Sequence, residues 1–334
     1  MKRKTRVVSV IICISALILL IFDTKTPANG ALSGIELCMK VLIPSLFPFF
    51  LTITYLNGLI VGRTVPGFRF LGRMLGIPSG GESILFLGFL GGYPVGAKLV
   101  YDQYRNKQIT KRTAHILLGY CSNAGPAFIF AIAGLLFPNK WAPLILWITH
   151  ILSAVITGYI LPKPNNSKIS TLKFEGNTLS GAMQSSMQTC VSICGWVITF
   201  KILLAYIEKW LTGIANPMPM YILQGILELS NGCIALQSLN NEPLRFILSS
   251  GFLAFGGVCI LLQTTSVTKE LGIGLYIPGK LIQTAISFLL SALLAAHQLP
   301  ANTVLSIIIP SVISIYLTLV VIKKRCGNSQ ENHV

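Results

Sequence analysis

Residues 85–98 read LFLGFLGGYPVGAK, an apolar run that is interrupted by glycines and one proline and ends at a lysine. A helix needs about 20 apolar residues to cross a bilayer, and the segment around this run, residues 80–97, barely reaches that length and has helix breakers near its middle. A second short segment, residues 220–237, has the polar sequence Glu228-Leu-Ser-Asn-Gly232 at its centre. We predict that both segments are re-entrant helical hairpins.

The composition indicates an integral membrane protein. The chain has 334 residues, of which 53% are hydrophobic and 11% are charged, and its mean hydropathy is +0.71. Because a soluble domain carries about 25% charged residues, this chain lacks the polar side chains to cover a water-facing surface. We expect neither an ordinary cytosolic enzyme nor a secreted disulfide scaffold. The eight cysteines are scattered without a Cys-x-x-Cys pair, and we expect them to act as small apolar side chains.

Ten apolar segments alternate with short basic clusters. They are residues 7–22, 37–60, 80–97, 114–137, 142–161, 185–207, 220–237, 244–264, 273–296 and 302–322. The net charge is +16, and cytosolic loops of membrane proteins are enriched in lysine and arginine. If both hairpins turn back, nearly all basic residues between segments are cytosolic, and only Lys25, Lys140, Lys209 and Arg245 lie outside. We therefore predict about eight transmembrane helices and two hairpins, with both termini in the cytosol.

The order of the segments repeats along the chain. Ser33-Gly34 opens one unit and Ser180-Gly181 opens another, and each unit has a span, a hairpin, a broken span and a further span. Three crossings are an odd number, so the second unit must be inverted relative to the first. We predict an all-α polytopic membrane protein with an inverted repeat. Its parts are a tail and first span at 1–32, one repeat at 33–162, a cytosolic linker at 163–179, the second repeat at 180–298, and the last span and tail at 299–334.

The two broken spans have distinct interruptions. The first is Cys121-Ser-Asn-Ala-Gly-Pro126, and the second is Phe255-Gly-Gly257, followed by Gln263-Thr-Thr-Ser266. Lipid cannot satisfy the backbone groups of a broken helix, so such a break must be buried in protein or line a cavity. Inverted repeats with discontinuous helices are typical of secondary transporters with a site near the bilayer midplane. We therefore predict a ligand site at the hairpin tips and the breaks.

Charged side chains are rare within the apolar segments. Glu228 is one of them, and a charge near the bilayer centre costs about 2.5–3.5 kcal/mol on insertion scales. It could carry a coupling proton, bind a cation, pair with Lys201 or merely cap a half-helix. Lys201 could be a counter-ion for the substrate or reach to the membrane surface, and Lys40 and Lys280 also lie in apolar segments.

No catalytic or metal-binding pattern accompanies these residues. The four histidines are dispersed, and the glycines of residues 91–98 lack the Gly-Lys-Ser/Thr ending of a phosphate-binding loop. The basic residues 98–112 are explained by a cytosolic loop beside anionic lipid. We expect no enzymatic activity, no metal or other cofactor and no nucleic-acid partner.

Five stretches of the chain resemble the sporulation integral membrane protein YlbJ family, also called SpoVV. They are Leu42–Phe50, Gly91–Lys98, Cys121–Ile129, Leu227–Gly232 and Phe255–Val258. The resemblance covers most of residues 30–322. The family is similar to concentrative nucleoside transporters and is grouped with the Gate-domain, or nucleoside-recognition, membrane proteins. The resemblance implies a role in endospore formation, carrying dipicolinic acid across the outer forespore membrane.

The resemblance also implies residues for the site. One hairpin tip would contain Gly92, Tyr93 and Pro94, with Tyr93 available for stacking, and the other would contain the polar group around Glu228. Together with Gln263 and Thr264, which follow the second break in the sequence, the complete expected set is Gly92, Tyr93, Pro94, Ser122, Asn123, Glu228, Ser230, Asn231, Gln263 and Thr264. Two alternatives stay open: a transporter of nucleosides or another small solute, and a non-transporting membrane scaffold or sensor. The expected partners are the small-molecule substrate, the lipid bilayer and a second copy of the chain.

Overall fold

The computed structural model describes residues 3–60, 63–77, 80–164, 178–211 and 217–331. Within these ranges the chain forms sixteen α-helices and no β-strand. They are α1 Arg3–Phe22, α2 Lys25–Leu37, α3 Ile43–Ile60, α4 Arg69–Met74, α5 Glu82–Gly91, α6 Val95–Arg105, α7 Lys111–Leu118, α8 Pro126–Leu136, α9 Ala142–Ile160, α10 Leu179–Trp210, α11 Met218–Leu227, α12 Leu229–Ala235, α13 Glu242–Phe255, α14 Gly257–Thr268, α15 Tyr276–Ala295 and α16 Ala301–Glu331. Most of the predicted linker, together with the ends of both predicted tails, lies outside the described residues.

Among the described residues, six helical segments are long and apolar enough to cross a bilayer. They are Lys25–Ile60, Ala142–Ile160, Leu179–Trp210, Glu242–Leu271, Tyr276–Gln298 and Ala301–Lys323. The protein is therefore a polytopic helical membrane protein, as the composition predicts. The other two predicted spans differ: Val7–Phe22 is a shorter apolar helix, and residues 114–137 are divided between α7 and α8.

The first long span begins earlier than predicted. A π-helical turn at Cys38–Leu42 joins α2 to α3, so one continuous helix runs from Lys25 instead of from residue 37. Its first part packs against α10, where a Cβ on Gly30 or Gly34 would lie 2.9 Å from a backbone Cα of α10. Small residues permit this close approach of membrane helices. They also dilute the apolar signal, which explains the late predicted start.

Two helical hairpins occupy the predicted segments. The first is α5 and α6, joined by a turn at residues 92–94, where Gly92 has φ +75°. The second is α11 and α12, separated by Glu228 in an extended conformation. A Cβ on Gly232 would lie 2.2 Å from Cα of Gly225, so glycines allow the arms of this second hairpin to touch.

The helix breaks lie at the predicted positions, with one exception. Residues 119–125 are non-helical between α7 and α8, since Pro126 disfavours a helical conformation in the residue before it. Gly256 and Gly257 have φ +79° and +81° and separate α13 from α14. The exception is Gln263–Ser266, which lies inside α14: here the hydroxyls of Thr265 and Ser266 bond back to the carbonyls four residues earlier, at 2.9 and 3.0 Å.

The two halves of the chain share an order of elements and a pattern of packing. Helices α2 and α3 correspond to α10, the first hairpin to the second, α7 and α8 to α13 and α14, and α9 to α15. Helix α6 packs against α14 as α12 packs against α8, and α2 with α10 and α9 with α15 pack on each other. The opposite orientation of the halves in a membrane stays a prediction.

Candidate ligand-binding site

A small cavity lies where the two hairpin tips meet. Its volume is about 40 Å³, and Gly92 and Tyr93 of the first tip and Glu228 of the second contribute to its wall. Gly125 beside the first helix break and Gln263 of α14 complete the polar part. The apolar part comes from α3, α8 and α10, with Leu42, Leu90, Leu229 and Ile260 from neighbouring elements. Its aromatic members are Phe49, Phe50 and Phe128.

Glu228 caps the second half of its hairpin. Its carboxylate accepts hydrogen bonds from the backbone N–H groups of Ser230 and Asn231, at 3.0 and 2.8 Å. These are free N–H groups at the start of α12, and an acidic side chain at that position stabilises a helix. Glu228 is only 1% exposed. Glu228 therefore both caps α12 and lines the cavity.

Several polar atoms near the cavity have no hydrogen-bond partner among the described residues. Both amide atoms of Asn231 are in this state, as are Oε1 of Gln263 and the hydroxyl of Ser122. All three residues are buried. Buried polar groups in folded proteins are nearly always paired, and leaving one unpaired costs about 1–3 kcal/mol. Gln263 lines the cavity, so a ligand that donates to its Oε1 would relieve this cost there.

Tyr93 turns its hydroxyl towards the second half of the protein. The hydroxyl lies 3.3 and 3.4 Å from the carbonyl oxygens of Leu253 and Ala254, in the last turn of α13. A Cβ on Gly256 would lie 3.3 Å from the Tyr93 ring. The tip of the first hairpin therefore rests on the helix break of the second half, and the peptide bond from Tyr93 to Pro94 is cis.

A buried polar cluster lies next to Tyr93, and its central residue, Lys280, is not among the predicted site residues. The Lys280 ammonium donates to the Tyr93 hydroxyl at 3.0 Å, to Oε1 of Gln283 at 2.6 Å and to Oδ1 of Asn123 at 3.4 Å. Gln283 in turn donates to the same Asn123 oxygen at 2.9 Å. The one signal in the sequence was a lysine within an apolar segment.

The first helix break is held by side chains rather than left open. Asn123 donates from its amide nitrogen to the Tyr120 carbonyl at 2.7 Å. The Ala124 N–H donates to Nε2 of His150 on α9 at 3.0 Å. Asn123, which we expected to bind a ligand, therefore uses its amide within the protein.

Lys201 does not line this site, although its charge acts on the Glu228 carboxylate. Lys201 is half-buried on α10 and faces α2, where a Cβ on Gly34 would lie 3.3 Å from the Lys201 Cβ. It is not among the residues of the cavity wall. Within the described ranges it forms no salt bridge with Glu228.

Of the ten expected site residues, half line the cavity. These are Gly92, Tyr93, Glu228, Ser230 and Gln263. The other five are buried but stand outside the wall: Pro94, Ser122, Asn123, Asn231 and Thr264.

The fold and the site define a polytopic helical membrane protein with two helical hairpins that meet at a small, mostly apolar cavity. The chain is similar to the sporulation integral membrane protein YlbJ of Bacillus subtilis (strain 168), with 24% identity over 71% of this chain and 69% of that protein. This similarity supports the assignment of the chain to the YlbJ family. No protein-family model matches the chain, and no solved structure matches it.

Proposed function

We propose that the protein is a secondary-type membrane transporter of a small anionic aromatic metabolite, working by alternating access between its two hairpins. The observation that carries this proposal is that both hairpin tips meet at one cavity. Tyr93 of the first tip and Glu228 of the second tip both line this cavity. Gly125 of the first helix break and Gln263 of α14 join them there.

Broken helices support transport rather than a purely structural role. A helix that ends inside a membrane protein leaves backbone groups unpaired, which is tolerated only in buried or cavity-lining positions. Transporters use such half-helices to form sites that can open to either side. In this chain the breaks and tips occupy corresponding places in the two halves, as expected for elements that move against each other. No catalytic step is part of the proposal.

The cavity wall suits a flat aromatic cargo. Small-molecule sites combine apolar and aromatic walls with a few convergent polar groups, and here three phenylalanines accompany Tyr93, Glu228 and Gln263. A volume of about 40 Å³ is far below the roughly 300 Å³ of a typical ligand pocket. The tips must therefore separate before an aromatic acid can enter, which is the movement that alternating access requires.

The cargo that the family resemblance implies is dipicolinic acid, released by the mother cell during endospore formation. Its two carboxylates would meet the Glu228 carboxylate in the cavity wall, and like charges at close range repel. We therefore propose that Glu228 takes up a proton when the anion binds, which couples the cargo to a proton. The membrane would be the outer forespore membrane.

A nucleoside is the second candidate cargo, and Asn231 is the observation that favours it. Its amide offers an unpartnered donor and an unpartnered acceptor, and Gln263 offers a further acceptor. Base edges present complementary donors and acceptors. A neutral nucleoside would need no proton on Glu228.

Uptake of labelled compounds into proteoliposomes tests the cargo. Purified protein should accumulate dipicolinate with saturable kinetics, whereas uridine and adenosine in parallel samples should enter no faster than in empty vesicles. Saturable nucleoside uptake without dipicolinate uptake would replace the cargo. Failure of all three compounds with folded protein would contradict transport and favour the scaffold.

A further inference from the structure

Lys280 is exceptional among the basic residues of the chain. It is 1% exposed, and it is the one lysine or arginine within the described side chains that is buried. It lies in α15, inside the candidate span Tyr276–Gln298. A lysine at such a position is costly in a membrane protein, and such residues usually serve a function.

The partners of Lys280 are all neutral. The hydroxyl of Tyr93 and the amide oxygens of Gln283 and Asn123 accept its three hydrogen bonds. Within the described part of the chain no carboxylate forms a salt bridge with it. The carbonyl end of α13, which Tyr93 also contacts, favours a nearby cation through the helix dipole but carries only a partial charge. Nothing in the described part of the chain therefore cancels a positive charge on Lys280, and a carboxylate that arrives beside it would favour the protonated lysine.

Tyr93 lies between the cluster around Lys280 and the cavity. Tyr93 lines the cavity, and the Lys280 ammonium lies 5.0 Å from the centroid of the Tyr93 ring. Among the described residues the cavity wall contains Glu228 but no lysine or arginine. The Lys280 side chain lies directly behind Tyr93, where a movement of this tip would bring it within reach of an anion.

We propose that Lys280 supplies the counter-charge for a carboxylate of the cargo. In the narrow state described here, neutral oxygens of Tyr93, Gln283 and Asn123 hold the ammonium. When the hairpin tip carrying Tyr93 moves to admit the cargo, the long lysine side chain exchanges the tyrosine hydroxyl for the carboxylate. This inference rests on the proposed function, and it makes carboxylate recognition depend on Lys280 instead of Lys201.

A purely structural lysine would behave differently. If Lys280 only held the first hairpin tip in place, its removal would weaken every ligand equally, charged or neutral. If it is the counter-charge, the loss must grow with the negative charge of the ligand. A ligand series of nearly constant shape separates these two roles.

The experiment measures binding and uptake separately on the full chain. Equilibrium binding in nanodiscs uses pyridine-2,6-dicarboxylate, pyridine-2-carboxylate and the neutral pyridine-2,6-dicarboxamide. The Lys280→Met variant should bind both carboxylates about 10- to 100-fold more weakly, as expected for loss of a hydrogen bond to a charged group. It should bind the diamide as wild type does, and Lys280→Arg should restore part of the carboxylate affinity. Lys201→Met is the matched control and should leave all three affinities unchanged.

The outcomes are distinct. Unchanged carboxylate binding by Lys280→Met, an equal loss for all three ligands, or no carboxylate binding by wild type overturns the inference. Carboxylate binding that depends on Lys280 without any uptake supports the inference and contradicts the transport proposal. Dipicolinate uptake that is independent of Lys280 supports the transport proposal and contradicts the inference. If Lys280→Met does not fold, Gln283→Glu keeps the lysine and sets a carboxylate beside it, and this variant should also lose carboxylate binding selectively.

Discussion

The Lys280 ammonium donates to the Tyr93 hydroxyl at 3.0 Å although the two residues are 187 positions apart in the chain. Tyr93 lies at the tip of the first hairpin and Lys280 lies on α15 of the second half. This bond therefore joins a tip of one half to a helix of the other half. A movement that separates the hairpin tips must break it or carry α15 along.

Alanine substitutions at Asn231 and Asn123 should have different effects on the stability of the protein. Both are buried, but the Asn231 amide is unpartnered among the described residues, whereas Asn123 bonds to Tyr120, Gln283 and Lys280. Asn231→Ala should leave the stability unchanged or raise it by about 1 kcal/mol, because it removes an unsatisfied polar group. Asn123→Ala should lower it by about 1–3 kcal/mol. Thermal unfolding in detergent measures both.

The same Asn231→Ala variant should take up the cargo at least about tenfold more slowly than wild type, because the cargo then lacks the hydrogen bonds of the amide. Uptake by Asn231→Ala at the wild-type rate would contradict the role of Asn231 in binding.

Close packing of the first hairpin against the first helix break predicts a strict requirement for glycine at position 96. A Cβ on Gly96 would lie 2.1 Å from the Cys121 carbonyl oxygen. Overpacking of this kind costs about 1–3 kcal/mol, so Gly96→Ala should lower the melting temperature and the amount of folded protein. Gly195→Ala on α10 is the control, because a Cβ there meets nothing within 4 Å. Equal melting temperatures for the two variants would contradict the packing.

The predicted topology sets the loops on either side of the first broken span on opposite sides of the membrane. Lys107 lies between α6 and α7, and Lys140 lies between α8 and α9, and both are exposed. A cysteine replacing Lys107 should react with a membrane-impermeant reagent only from the cytosolic side. One replacing Lys140 should react only from the outside, with the parent chain as control. Reversed labelling would mean that the first hairpin crosses the membrane.

Asp23 gives a prediction for the dependence of stability on pH. Its carboxylate lies 2.6 Å from the Lys209 ammonium and also accepts the Thr26 N–H. Hydrogen bonds, first from Lys209 and then from Thr26, lower the pKa of Asp23 from 3.8 to about 2. Because the pKa is lower in the folded state, this contribution is present above pH 4 and is lost as the pH falls from about 4 to 2.

Asp23→Asn should therefore be less stable than wild type by a constant margin at pH 5 to 8, and the margin should shrink below pH 4. Melting temperatures of both proteins over this range measure it. A margin that changes between pH 6 and 8 would show that another group responds.

Local signals in the sequence were sufficient to predict the positions of the hairpin tips and the helix breaks. Gly92 and Pro94 at one tip and Gly256 at one break act on the backbone of their own neighbourhood, so they are readable without tertiary contacts. The helical conformation of Gln263–Ser266 was missed because hydroxyls that favour turns can also bond back within a helix.

The cluster around Lys280 could not be predicted in the same way. Its contacts join residues 157 and 187 positions apart, and periodicity carries no information about such pairs. The early start of the first long span at Lys25 was missed for a related reason. Gly30 and Gly34 look like interruptions in the sequence, but they are the surface on which α10 packs.

The most direct test of the central claim compares dipicolinate uptake by wild type, Glu228→Gln and Glu242→Gln in proteoliposomes with equal amounts of incorporated protein. Glu228 lies in the cavity wall, whereas Glu242 is exposed at the start of α13. We expect saturable uptake by wild type and by Glu242→Gln and none by Glu228→Gln, since glutamine cannot take up the proton that accompanies the anion. Uptake by Glu228→Gln at the wild-type rate would contradict a transport site between the hairpin tips.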